Sequence, residues 1–325
     1  MLLGIQYNNH KQLRPYKLLN IMNLKLDVGI ILQKCLNTGM ITQKLTTYLF
    51  HGLTLTFLGC MSLFIGGCAS YSPENFYKTA KQLKLEKIII KGKTFPMIYY
   101  TKGIKQNTEN LHIYLGGDGT PWLDIMTYSV DPTPSNPMIL KLMDMDNSTS
   151  LFLGRPCYQG LSKTPPCDYY YWTAGRYSPA VLANMREAIM KLINKYQVKN
   201  LTLIGFSGGG ALATLLANDI PQSNTVVTIA GLLDTDAWTD LHFYSPLSGS
   251  LNPAKQAPLA KHIQQIHLLG DNDKNIPPEI VSVYLNKQSN AEVLHFKQAD
   301  HNCCWKKHWP MVLKKINNPS SIPEK

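Results

Sequence analysis

The sequence predicts an α/β protein built on a mostly parallel sheet, and three observations carry that prediction. Eight apolar runs of strand length recur along the chain, at 87–90, 96–101, 111–115, 150–153, 200–204, 225–229, 265–269 and 291–296. Several are continuous rather than alternating, as strands covered on both faces should be. Helical stretches separate them. Residues 178–196 bring Val181, Met185, Ile189 and Ile193 onto one face, and 211–218 and 278–286 are further helix candidates. Strand, helix, strand in series puts helices on both faces of the sheet.

Composition agrees. The 325 residues allow one large domain or two modest ones, and 44% hydrophobic content is enough to bury a full core, which excludes wholesale disorder. A formal charge of +11 invites a nucleic-acid reading, but the excess is concentrated at one end. Residues 1–67 hold Lys11, Arg14, Lys17, Lys25, Lys34 and Lys44 against the single acid Asp27. The remainder is mildly basic, with no basic run interleaved with aromatics, so no nucleic-acid partner is expected.

The first 67 residues read as an address rather than a fold. Residues 53–67, LTLTFLGCMSLFIGG, form an uncharged apolar stretch with Lys44 upstream, the pattern of an export signal. Met40 would give that signal an ordinary n-region, and translation is expected to start there. His51 interrupts the stretch, and a membrane span needs about 20 apolar residues, which argues against an uncleaved anchor. At its exit, Ile65-Gly66-Gly67-Cys68 resembles the lipobox of bacterial lipoproteins; Phe57-Leu58-Gly59-Cys60 fits worse because Leu58 is bulky where a small residue is wanted. The resemblance implies acylation of Cys68 and attachment to the cell envelope through an N-terminal lipid. Ala69 follows the cysteine, which by analogy with enterobacterial sorting implies the outer membrane, facing the periplasm. A polar tether over 68–84 is expected to lead into a single domain, 85–325. Within it, the Pro- and Met-rich stretch 126–147 and the aromatic run 169–172 suggest a cap or loop insertion around 126–178.

The chemistry is concentrated at three strand ends. The run Leu201-Thr202-Leu203-Ile204 enters Gly205-Phe206-Ser207-Gly208-Gly209, and a small-residue helix follows. A nucleophile on a strained strand-to-helix turn needs residues without Cβ two positions before and after it. The helix N-terminus then aims free N–H groups at developing negative charge. No Lys-Ser or Lys-Thr follows the glycines, so this is not a phosphate loop. The strand at 265–269 ends in Gly270-Asp271-Asn272-Asp273, and Ile276-Pro277 follows, which offers two candidate acids, Asp273 and, at the turn, Asp271. Asp234 and Asp236 are poorer placements for the acid. After the last strand comes Gln298-Ala299-Asp300-His301-Asn302, which puts His301 in the loop beyond it, 28 residues after Asp273. His267 and His295 lie within strands, His112 opens one and His308 falls in a terminal helix.

These motifs, in the order Ser, acid, His, resemble the α/β-hydrolase family. The resemblance implies a central, mostly parallel sheet flanked by helices, and a triad of Ser207, Asp273 and His301. It also implies an oxyanion hole made from the backbone N–H of Gly208 and of the loop Gly116-Gly117-Asp118-Gly119, with Asp118 or Gly119 as second donor. That loop is similar to the Gly-Asp-Gly variant of a group of exported bacterial serine hydrolases. Gly154-Arg155-Pro156-Cys157, Ala237-Trp238-Thr239 and the run 301–305 add to the likeness. The implied activity is acyl transfer on a small-molecule or lipid ester, carboxylesterase- or lipase-like, with no metal or organic cofactor required. A peptidase or thioesterase on the same fold is the nearest rival, and a lipid-anchored binding protein on a silent hydrolase fold is the rival of a different class.

With Cys35 and Cys60 leaving with the signal and Cys68 acylated, Cys157, Cys167, Cys303 and Cys304 remain. This is an even set for an oxidising compartment, with three pairings open. Zinc on His301, Cys303, Cys304 and His308 is disfavoured, because adjacent cysteines fit one tetrahedron badly and His301 has another role. No sequence feature sets the oligomeric state.

Overall fold

The computed structural model describes residues 73–317. The expected export signal, the expected Met40 start and Cys68 lie outside the described residues. A first helix, α1 (Glu74–Gln82), precedes the strands β1 (Glu86–Lys91), β2 (Pro96–Thr101) and β3 (Asn110–Leu115). Then come α2 (Met138–Asp144), β4 (Ser150–Leu153), α3 (Pro179–Tyr196), β5 (Asn200–Phe206), α4 (Gly208–Ala217), β6 (Ser223–Ile229) and α5 (Thr235–His242). The chain continues through β7 (Gln264–Gly270), α6 (Ser282–Leu285), β8 (Ala291–Phe296) and α7 (Trp305–Asn317). Short 3₁₀ turns occupy Tyr169–Trp172, Pro253–Lys255 and Pro278–Val281.

All eight expected strands form, and they make one sheet in the order β1-β2-β4-β3-β5-β6-β7-β8. β2 runs antiparallel to both neighbours, and every other pair is parallel. Alternate side chains of the central strands feed two cores. Leu201 and Leu203 of β5 pack with α3 and α4, including Met185, Ile189, Leu212 and Leu216. Ile204 faces the other way, toward α1, α2 and α7, with Phe76, Leu140, Trp305 and Trp309. The helix predicted at 178–196 has Val181, Met185, Ile189 and Ile193 buried. It starts at the Ser178 cap with Pro179 in the first turn and stops at Gln197, whose φ of 53° lies in the left-handed region.

Three expectations need correction. Residues 68–84 are not a tether throughout, because α1 occupies Glu74–Gln82 and buries Phe76 and Ala80 against the sheet. Nor is 126–178 a continuous insertion. It contains α2, with Met138, Ile139, Leu140, Leu142 and Met143 buried, and β4, which sits between β2 and β3. Finally, the helix expected at 278–286 is a 3₁₀ turn followed by the four-residue α6.

Candidate active site

Parallel strands bring their carboxyl ends to one edge, so residues following β5, β7 and β8 meet there. Ser207 follows β5 at φ 54° and ψ −123°, a strained conformation for a residue with a Cβ. The surroundings hold it there. Its N–H donates to Ile229 O at 2.9 Å, and its carbonyl accepts from Gly210 at 2.8 Å and Leu232 at 3.0 Å. The flanking glycines are dictated by close approach: a Cβ on Gly205 would stand 2.1 Å from Gly209 O, and one on Gly209 2.2 Å from Leu115 O.

The loops after β7 and β8 supply the partners. His301 Nε2 lies 3.1 Å from Ser207 Oγ, and its Nδ1 lies 2.8 Å from Asp273 Oδ2. The Asp273 side chain is fully buried, and its other oxygen accepts from the N–H groups of Asn275 and Ile276 at 2.9 and 2.8 Å. A carboxylate so fixed accepts from Nδ1–H and leaves a lone pair on Nε2, the tautomer a general base requires. Asp271 turns to the surface instead and pairs with the half-exposed His295 at 2.8 Å. Asp234 caps α5 through Asp236 N and Ala237 N, and the Asp236 carboxylate pairs with Lys255.

Asn275 is a neighbour the sequence did not single out. Its Nδ2 lies 3.1 Å from His301 Nε2, and its Oδ1 accepts from the Trp238 indole at 3.3 Å. Because an indole only donates, this contact fixes which end of the amide faces the imidazole. The amide NH₂ and Ser207 Oγ therefore share the Nε2 lone pair, both consistent with a neutral ring.

The loop after β3 approaches Ser207 through Gly117, where an added Cβ would lie 3.2 Å from the Ser207 Cβ. Gly119, one of the expected oxyanion donors, has a φ of +70°, and a Cβ there would fall 1.9 Å from Pro132 O. Asp118 is a hub. Its carboxylate accepts from Arg155 Nη1 at 2.7 Å, Arg176 Nη1 at 2.8 Å and the Tyr177 hydroxyl at 2.6 Å. Arg155 Nη2 donates to Gly116 O at 3.0 Å, and the Tyr158 hydroxyl to Asp118 O at 2.9 Å. Burial alone would raise the Asp118 carboxyl, but the two guanidinium charges and the Tyr177 hydrogen bond outweigh it and hold the pKa at about 2. Burial, and then the Asp118 charge, keep the Tyr177 phenol well above its usual value, so it remains a donor. The hub rests on the start of α4, since a Cβ on Gly208 would lie 1.9 Å from Asp118 Oδ1. Among the described residues, no backbone carbonyl takes the N–H groups of Gly117, Asp118, Gly119 or Gly208.

Disulfides brace both approaches. Cys157 is bonded to Cys167, closing the segment that carries Tyr158, and Cys303 is bonded to Cys304 two residues beyond His301.

The sheet order, the strained serine and the imidazole between Ser207 and Asp273 define an α/β-hydrolase fold with a serine-hydrolase arrangement of side chains. Residues 134–303, just over half of the chain, match the serine hydrolase family FSH1, and the chain belongs to that family. Among solved structures it is similar to an esterase of Pyrococcus furiosus, with 13% identity over 73% of this chain and 91% of that one, and a TM-score of 0.53. It is also similar to an acylaminoacyl peptidase of Pyrococcus horikoshii, with 12% identity over 72% of this chain and 42% of that one, and a TM-score of 0.50. No curated protein matches it in sequence.

Proposed function

We propose that this hydrolase is an exported enzyme that cleaves ester-type acyl bonds through Ser207, His301 and Asp273. The observation that carries the reading is the continuous path from Ser207 Oγ to His301 at 3.1 Å and on to Asp273 at 2.8 Å, at the end of a strained elbow. His301 Nε2 takes the hydroxyl proton as Oγ attacks the carbonyl carbon, and Asp273 stabilises the imidazolium that forms. Negative charge collects on the former carbonyl oxygen, where the Gly208 N–H and the loop N–H groups, with Asp118 or Gly119 as second donor, supply hydrogen bonds. Collapse of the intermediate expels the alcohol, which takes the proton from His301. Water then repeats the sequence on the acyl-enzyme and releases the acid.

The test is direct. A fluorophosphonate should label the wild-type protein and not Ser207→Ala, and p-nitrophenyl butyrate should be hydrolysed only by the former. The thermal stability of Ser207→Ala should be nearly unchanged, because the hydroxyl makes no buried structural contact beyond His301. A folded wild-type protein inert to both reagents would return the chain to the binding-protein reading. Labelling without ester turnover, together with cleavage of aminoacyl anilides, would favour the peptidase.

The same proposal includes envelope attachment through acylated Cys68, with the domain facing the periplasm. It is supported by the apolar stretch at 53–67 and the small residues Gly66 and Gly67 before the cysteine. Cys68→Ala should abolish lipid labelling and leave uncleaved precursor. Wild-type protein recovered free of any acyl group would sink this part alone.

A further inference from the structure

We infer that the hairpin between the candidate oxyanion loop and α2 inserts its tip into a phospholipid surface, so that Ser207 works at a membrane face. The inference deepens the proposed function, and its tether argument rests on the lipid anchor at Cys68.

The hairpin is a built feature rather than a slack loop. Its base is closed by Thr120 N to Pro132 O at 3.1 Å and Ser129 N to Pro121 O at 2.9 Å. Higher up, Trp122 and Tyr128 form an antiparallel bridge, and Leu123 N donates to Thr127 O at 2.8 Å. Asp124 folds its carboxylate back over the turn, accepting from Met126 N and Thr127 N at 2.8 Å each, so the turn's own N–H groups bind this charge. At the apex stand two consecutive apolar side chains in solvent, Ile125 at 99% and Met126 at 87% exposure. Behind them, one on each strand, Trp122 and Tyr128 are about half exposed. An apolar point with an amphipathic aromatic collar matches the layering of acyl chain and headgroup in a bilayer.

A protein partner fits less well, because a stable interface buries about 1,000 Å² or more and two apex side chains do not offer that. Position adds a second argument. Tyr77 of α1 donates to Asp131 at the hairpin base at 3.2 Å, so the N-terminal helix runs beside the hairpin. Glu74 lies six positions beyond Cys68, a reach of about 20 Å at most. A lipid on Cys68 therefore holds the hairpin side of the domain close to the bilayer. The base of the hairpin is only three residues from Gly117, which lies against Ser207.

The test uses the full acylated chain bound to vesicles of phosphatidylethanolamine and phosphatidylglycerol whose acyl chains carry bromine, a contact quencher of tryptophan. Trp172, Trp305 and Trp309 are buried and Trp238 is half-buried, so the part of the quenching that Trp122→Phe removes reports on the hairpin. The wild type should lose emission on these vesicles, and neither Trp122→Phe nor Ile125→Asp/Met126→Asp should lose it. Both variants should hydrolyse dissolved p-nitrophenyl butyrate at the wild-type rate. Absence of quenching in the wild type, or equal quenching in the double aspartate variant, would overturn the inference. So would dimerisation that the aspartates abolish without any quenching, which would make the tip a contact with a second copy. The readings fail separately: fluorophosphonate labelling reports on Ser207 alone, and Cys68→Ser protein added to the same vesicles reports on the hairpin without the anchor.

Discussion

Asp271 and Asp273 stand two positions apart on one loop and have opposite fates. Asp273 is buried against His301, with its second oxygen held by two backbone N–H groups, whereas Asp271 pairs with His295 at the surface. Asp273→Asn should therefore lower kcat on p-nitrophenyl butyrate by on the order of 10⁴-fold with the fold intact. Asp271→Asn should change it little, since exposed ion pairs contribute little. Comparable kcat values for the two variants, at equal stability, would remove Asp273 from the acid role. The serine was legible in the sequence because the glycine spacing around it has a mechanical cause, and Asp273 and His301 through the order Ser, acid, His that resembles the α/β-hydrolase pattern. Asn275 was not, since its importance depends on the Trp238 indole that orients it from α5. The Asp118 partners left one faint trace. The chain has only four arginines against 28 lysines, and Arg155 and Arg176 are two of the four. Bidentate, permanently charged guanidinium is what a buried carboxylate hub requires.

The loop after β3 and the start of α4 behave as one element because Asp118 holds them together. Asp118→Ala would leave Arg155 and Arg176 buried at 4% and 5% exposure without their shared counter-charge. Removing one partner from such a cluster costs about 3–5 kcal/mol. The variant should show that loss in urea denaturation, and its esterase activity should fall as Gly117 loses its fixed distance from Ser207. A variant as stable as the wild type would mean the hub is solvated and not structural. Elements themselves were legible to different degrees. Every strand was found because burial on both faces demands continuous apolar runs. By contrast, α1 was missed since its run ENFYKTAKQ is largely polar and buries only Phe76, Thr79 and Ala80. In α2 the prolines ahead of it disguised MILKLMD, a helix with five buried residues, as a loop.

At the scale of the whole molecule, the sheet stores a pH dependence unrelated to the candidate catalytic groups. His267 stands in β7 at 0% exposure, with Nδ1 2.8 Å from Thr228 Oγ1 and Nε2 3.3 Å from Gln265 Oε1. Burial disfavours its charged form and lowers its pKa to about 3. The unfolded chain binds that proton near the reference value of about 6.5. Between these values the unfolded state holds one proton more than the folded state, so stability falls as pH falls, by on the order of 5 kcal/mol across the window. Asp118 acts in the same direction lower down. Its folded pKa of about 2 lies below the ordinary aspartate value of 3.8, so its contribution is complete above the latter and is lost as pH drops toward the former. Replacing His267 with Gln keeps hydrogen-bonding groups beside Thr228 and removes the titration. Urea unfolding of the wild type should therefore weaken steadily from pH 7 to pH 4, above the Asp118 window, while His267→Gln should weaken less over the same range. Parallel curves would mean that the charge on His267 is accommodated in the folded sheet and that acid lability arises elsewhere.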